Sequence, residues 1–171
     1  MKIPPIETPR LTLRGFTKDD ALWAYSIWND PEMGHFLPDE TKTDIDWAYV
    51  RSLEGLGDDA KCCYLIPVLK GTDKRVGTCS FMVSGNGRVF DLAYCVHKDF
   101  WRQGYATEMA QGMMAYARSQ GAETATIWVS RDNAASHAVA KKCGGRLAGE
   151  KSYKKHGAEL VMTEDLYEVT L

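Results

Sequence analysis

No Cys-x-x-Cys pair occurs among the five cysteines, at 62, 63, 79, 95 and 143, and their number is odd. That spacing excludes the common zinc frameworks and gives no basis for a disulfide scaffold. Four of the five lie in apolar, strand-like runs, which reads as core thiols in a reducing compartment. The four histidines, at 35, 97, 137 and 156, are scattered without metal-ligand spacing, so no metal is expected. Long apolar runs are also missing. The longest, CCYLIPVL at 62–69, is far too short to cross a bilayer. The opening MKIPPIETPRL lacks the apolar stretch of a secretory signal. A cytoplasmic protein without membrane contact is therefore expected. Charge of one sign is lacking too: the net value of −2 argues against a general nucleic-acid binder. Neither a Walker loop, GxxxxGK[ST], nor a dinucleotide fingerprint, GxGxxG, is present.

What remains is a chain of 171 residues, long enough to bury a sizeable core and short enough for one domain, 1–171. RLTLR at 10–14 alternates like a strand. Thr17 precedes DDALWAYSIW, which reads as a capped helix with Leu22, Tyr25 and Trp28 at helical spacing. Residues 29–42 carry two prolines and a glycine and read as a loop, followed by a second helix over Asp44 to Leu56. Three strands, KCCYLIPVL, RVGTCSFMV and RVFDLAYCV, are joined by GTDK and GNG, so the middle of the chain is an antiparallel meander. Met109, Ala110, Met113, Met114 and Ala117 follow Ala106 at spacings of three and four, which predicts a long amphipathic helix over 103–119 that stops at Gly121. TATIWVS at 124–130 is a buried strand, 134–143 a shorter helix ended by Gly144-Gly145, and the remainder a hairpin. The strand at 88–96, the long helix and the strand at 124–130 form a βαβ unit with parallel strands. The fold class is α/β (α+β), with a mixed central sheet flanked by helices.

The loop FWRQGYATEM, 100–109, opens the long helix. Its glycine permits unusual dihedrals or close approach of a ligand. Arg102, Gln103, Gly104, Tyr105, Ala106 and Thr107 can direct successive N–H groups at a pyrophosphate, on the positive end of the helix dipole, with Arg102 adding charge. A plain turn before a helix is the other reading of the same residues. SRDNAASHAVAKKCGG, 130–145, begins just after the second parallel strand, where βαβ sheets bind ligands at the carboxyl ends of their strands. If the two parallel strands splay, a long thin ligand fits between them.

Three segments in order, ETPRLTLRGFTKDDA, DLAYCVHKDFWRQGYATEMAQGMMAYA and DNAASHAVAKKCGG, resemble the GNAT N-acetyltransferases. Within them the chain is similar to the branch of the ribosomal-protein alanine N-acetyltransferases, over nearly its whole length. The resemblance implies a mostly antiparallel sheet with two splayed parallel strands and acetyl-CoA as cosubstrate. It implies a pyrophosphate on the 102–107 amides and a pantetheine arm against the backbone near Tyr94 and Val96. It also implies a bulge in that strand that aims an N–H at the thioester carbonyl. Asn133 would help hold the cofactor arm and Ser136 would lie near the sulfur. A homodimer is common in this fold.

The chain departs from the family at three points. Trp101 stands where the family often has Arg or Gln. Ala140 stands where many relatives carry a tyrosine as general acid, which leaves Ser136 to protonate the leaving thiolate. Gly145 replaces a common phenylalanine, which loosens that wall. A protonated amine must lose a proton before it attacks, and Asp91, aligned with a frequent glutamate, is the candidate base. A polar residue on an exposed sheet face is its alternative reading. Glu108 reads as a partner of the helix dipole. Cys95 lies near the expected thioester, so a covalent acetyl-cysteine route is chemically open, although packing is the commoner role of a strand cysteine. His97 and His137 read as surface or supporting residues.

The acceptor is less legible. Asp30, Glu32, Asp39, Glu40, Asp44 and Asp46 against Lys42 form an acidic stretch that would attract a cationic amine, such as a peptide N-terminus, a polyamine or an aminoglycoside. A solvated helix entry explains the same charges. Lys151, Lys154 and Lys155 carry the opposite bias, toward CoA phosphates or an acidic acceptor. Trp28, Phe36, Trp47 and Tyr49 line a pocket or pack the first two helices. Two other functions compete with an enzyme: a non-catalytic CoA-binding module, and a nucleotide-binding protein that prefers ATP or NAD.

Overall fold

The computed structural model describes residues Met1–Leu171. Eight strands form one sheet in the order β1-β2-β3-β4-β5-β6-β8-β7. They are β1 (Ile6–Glu7), β2 (Leu11–Gly15), β3 (Cys62–Leu69), β4 (Gly77–Ser84), β5 (Val89–Val96), β6 (Thr124–Ser130), β7 (Arg146–Lys154) and β8 (Val161–Thr170). Every neighbouring pair is antiparallel except β5 and β6. The helices are α1 (Ala21–Trp28), α2 (Trp47–Leu53), α3 (Tyr105–Ser119) and α4 (Ala134–Lys142). The mixed sheet, the meander and the βαβ unit match the expected fold class.

The two faces of the sheet are covered unequally. On one face α3 buries Met109, Ala110, Met113 and Ala117 against Phe81, Phe90, Leu92 and Ile127. This is the outcome of its spacings of three and four. On the other, α1 and α2 pack Ala24, Tyr25, Val50 and Leu53 against Ile66 and Phe16, in a smaller cluster. Leu22 faces out instead, and Ala21 and Ile27 complete the inner stripe of α1. Asp46 caps α2 by accepting from the Ala48 and Tyr49 amides, so this helix starts three residues after Asp44. The turn before α1 is held by Asp20, which is fully buried. Its carboxylate accepts from Arg14, Arg75 and both the amide and hydroxyl of Thr17.

The parallel pair opens as expected. β5 and β6 pair only from Val89↔Thr124 to Leu92↔Ile127. Beyond that, β4 holds β5 as far as Val96, and β8 holds β6 as far as Ser130. The expected bulge is absent from β5: its register against β4 is unbroken from Ser84↔Val89 to Gly77↔Val96. Gly77 marks an unusually close approach of the two strands at the end of that ladder. A Cβ there would lie 2.2 Å from the Cys95 carbonyl oxygen, so the missing side chain lets β4 stay tight against β5 to its end. The irregularity in the sheet falls instead in β7, between Leu147 and Gly149.

Candidate active site

At the end of β5 the chain makes a short turn, and the Trp101 indole N–H closes it by donating to the Val96 carbonyl at 2.7 Å. Arg102 follows with a φ of 61° and Gly104, the cap of α3, with a φ of 82°. Two left-handed residues so close together turn successive amides to one side. None of the six amides from Arg102 to Thr107 has an acceptor within the chain. The next, Glu108 N–H, donates to Gly104 O at 3.1 Å. Residues 101–104 are exposed, so the array faces solvent at the N-terminus of a long helix, where an anion is favoured.

Arg10 braces this loop, a contact that sequence reasoning missed. Its Nη1 donates to Gln103 O at 3.0 Å, its Nε to Glu108 at 2.6 Å, and its guanidinium lies 4.2 Å from the centre of the Tyr105 ring. Glu108 also accepts from the Arg10 amide and the Thr8 hydroxyl. Burial would raise the Glu108 pKa, but these donors outweigh it and hold it below the usual range. Glu108 is thus a bracket between β2 and α3 more than a dipole partner. Nothing local signalled that Arg10 reaches residues more than ninety positions away.

The amides of Tyr94 and Val96 point into the opening. The His97 amide donates to Val76 O on the β4 side, and alternation turns the even-numbered residues the other way. The Tyr94 ring lies on the α3 face, and its hydroxyl is 2.9 Å from Ser136 Oγ. Burial pushes the Tyr94 pKa up to about 12, against a smaller opposing effect of the Ser136 bond. Ser136 is fixed in turn by Asn133, whose Oδ1 accepts its amide at 3.0 Å and caps α4. The Asn133 amino group has no partner within the chain. Both His137 ring nitrogens are engaged, with the Tyr167 hydroxyl and Arg131 O. The Tyr167 ring also closes the wall at Gly145. A Cβ there would come within 3.2 Å of Tyr167 and 2.8 Å of Ala140 O. The wall is therefore packed, not loosened.

Asp91 lies on the opposite face from Tyr94 and Ser136, so the structure does not bring these candidates together. Asp91 accepts from the Thr126 hydroxyl at 2.8 Å, one residue before pairing with β6 ends. Burial raises its pKa, with nearby Glu164 adding to the effect and Thr126 and Lys151 opposing it. Cys95 shares that face. Burial pushes its pKa up to about 12, so the thiolate needed for an acetyl-cysteine route is scarce near neutrality.

Three of the six acidic side chains of the loop are hydrogen-bonded within the chain, while Glu32, Asp39, Glu40 and Asp44 are exposed. Asp30 accepts from the Glu32 and Met33 amides and from Lys98 Nζ, with Lys98 leading in holding its pKa at about 2. Asp39 pairs with His156, and Asp46 with Lys42 as well as its cap. Asp30 and Asp46 thus brace the loop and the start of α2 through their own amides. The hairpin lysines are not a free anion patch. Lys151 pairs with Glu164, Lys154 with Glu159, and Lys155 is buried with its Nζ on His35 O. Trp28 packs on the α1–α2 cluster and donates to Thr78, and Tyr49 stacks edgewise on Tyr25, whereas Trp47 is exposed.

An α/β sheet opened between two parallel strands, with an anion-receptive loop at its mouth, defines the class of protein to which comparison can be made. Residues 10–146 match the acetyltransferase (GNAT) domain, and the chain belongs to that family. Among curated relatives it is 29% identical over 113 residues to the uncharacterized N-acetyltransferase p20 of Bacillus licheniformis, a match covering 64% of this chain and 63% of that one, under two thirds of each. Among solved structures it superposes on a GNAT-family acetyltransferase from Bacillus anthracis with a TM-score of 0.79, 23% identity and 98% of each chain covered. It also superposes on an acetyltransferase of Salmonella typhimurium that modifies the N-terminal serine of ribosomal protein L7/L12. There the TM-score is 0.78, with 19% identity and 98% and 99% of the two chains covered. At these identities the structural likeness speaks for the fold.

Proposed function

We propose that the chain is an acetyl-CoA-dependent N-acetyltransferase that passes acetyl directly to a primary amine. The run of six unpartnered amides, Arg102–Thr107, beside the mouth of the opening carries this reading. The amides receive the pyrophosphate, and the Tyr94 and Val96 amides receive the pantetheine arm together with the free Asn133 amino group. In the reaction an N–C bond forms and the thioester C–S bond breaks. The nitrogen gives up a proton to Asp91, directly or through water, and the raised pKa of Asp91 makes it a better base than an ordinary aspartate. The departing thiolate takes a proton from Ser136. Tyr94, protonated near neutrality and hydrogen-bonded to Ser136, restores it and is itself reprotonated from solvent, which receives the proton that Asp91 took from the amine. The pair thus takes the part of the tyrosine missing at Ala140. A protein N-terminal amine and a small cationic amine, a polyamine or aminoglycoside, are the two acceptor classes.

Thermal melts with acetyl-CoA, desulfo-CoA, ATP and NAD at matched concentration test the cosubstrate. A ligand at a hundredfold excess over its Kd stabilises the native state by about 2.7 kcal/mol. Both CoA compounds should raise the midpoint and the nucleotides should not; a melt indifferent to CoA removes the proposal's cosubstrate. Ser136→Ala should lower kcat about a hundredfold and leave acetyl-CoA affinity unchanged. Ala140 favours the rival reading, a CoA-binding module without catalysis. That reading stands if CoA binds and no amine in a broad panel is acetylated.

A further inference from the structure

Trp128 is the first residue of β6 beyond the last pair with β5, and it shares the face of Thr126, whose hydroxyl bonds Asp91. Its ring therefore borders the opening on the side of the candidate base. The Lys151 ammonium sits 3.9 Å from the centre of that ring and 3.1 Å from Glu164 Oε2. Glu164 is 9% exposed, and its other oxygen accepts from the Tyr153 hydroxyl at 3.2 Å. The Tyr153 ring lies 6.0 Å from the same ammonium. An indole face, a phenol and a buried carboxylate converging on one point make a receptor for an alkylammonium ion. The lysine that fills it is half exposed, with its side chain 46% accessible, so it can leave.

We propose that Trp128, Tyr153 and Glu164 form the acceptor's ammonium pocket, and that Lys151 occupies it as an internal stand-in until a substrate displaces it. The substrate class is then a primary amine on an aliphatic stem, the shape of a lysine side chain or a diamine, in preference to a peptide α-amine. The inference rests on the acetyltransferase reading.

The test supplies the missing side chain from solution. Lys151→Ala removes the internal cation, and n-butylamine has the same ammonium and four-carbon stem. With acetyl-CoA present, n-butylamine should raise the melting midpoint of Lys151→Ala and not of wild type. Its kcat/KM for acetylation should rise about tenfold over wild type. Adding Glu164→Gln to the variant should abolish both effects. Lys151→Arg, which keeps a cation in place, should behave like wild type. Lys151→Ser serves as a second truncation should the alanine variant fold poorly. Equal responses in wild type and truncation variants overturn the proposal, and so does binding without faster acetylation, because the pocket would then hold no acceptor. The acetyl-CoA shift of wild type, read in the same melts, reports separately on the acetyltransferase reading.

Discussion

Gly104→Asp is expected to lower acetyl-CoA affinity by at least about a hundredfold. Two costs combine. Gly104 has a φ of 82°, and a side chain in that left-handed conformation costs about 1–2 kcal/mol. The new carboxylate also stands among the Arg102–Thr107 amides, where it competes with the pyrophosphate for the same N–H groups and repels it. Gly104→Ala separates the two. There is room for the methyl group, since its nearest neighbour is Arg10 Nη2 at 3.6 Å, so alanine brings the backbone cost without the charge. Titration calorimetry should therefore rank wild type, alanine and aspartate in falling affinity. Equal affinity for all three would place the cofactor's phosphates elsewhere. Arg10→Ala is a milder companion. It removes the brace at Gln103 O and should weaken acetyl-CoA binding several-fold by loosening the loop.

Asp20→Ala should cost about 3 kcal/mol of stability, at the low end of the range for removing one partner of a buried ion pair. The low end applies because the two cations left behind can rehydrate: the Arg14 and Arg75 side chains are 32% and 30% exposed. For a chain of this size such a loss lowers the melting midpoint by about 6–12 °C. The pH dependence follows the sign of the shift. Burial alone would raise the Asp20 pKa, but the bonds from Arg14 and Thr17 outweigh it and hold the folded value below the ordinary one. Its contribution is thus complete above an unfolded pKa of about 3.9 and fades as pH falls through the lower folded value. Urea midpoints of wild type and Asp20→Ala, measured from neutrality down to strong acid, should converge only at the acid end. A constant gap across that range would mean that the charge contributes nothing.

The regular elements were legible because their signals are local. Helix α3 and strand β6 stand where apolar spacing put them, and β6 spans the expected residues, 124–130. Boundaries moved where one residue's chemistry overrode the pattern. The left-handed Gly104 delays α3 to Tyr105, and the Asp46 cap delays α2 to Trp47. Strand β1 went unread because two residues carry no periodicity. In the site, the loop and the opening were legible from a glycine and a βαβ pattern. The partnerships were not: Arg10 with Glu108, Tyr94 with Ser136 and Lys151 with Trp128 each join residues far apart in the chain. The pairings of the acidic loop were hidden for the same reason. Its charges are visible in the sequence, but Lys98 and His156, which pair with Asp30 and Asp39, come from distant segments.

The opening also divides the sheet mechanically. Strands β1 to β5 form one half-sheet and β6, β8 and β7 the other, and the main-chain seam between them runs only from Val89↔Thr124 to Leu92↔Ile127. A pantetheine arm lying in the gap would act as a surrogate strand, lengthening a seam that the polypeptide leaves short. Cofactor binding would then do more than fill a groove. It would splice the two halves, and hydrogen exchange should slow on both banks of the gap, at Tyr94 and Val96 on one side and at Ser130 on the other.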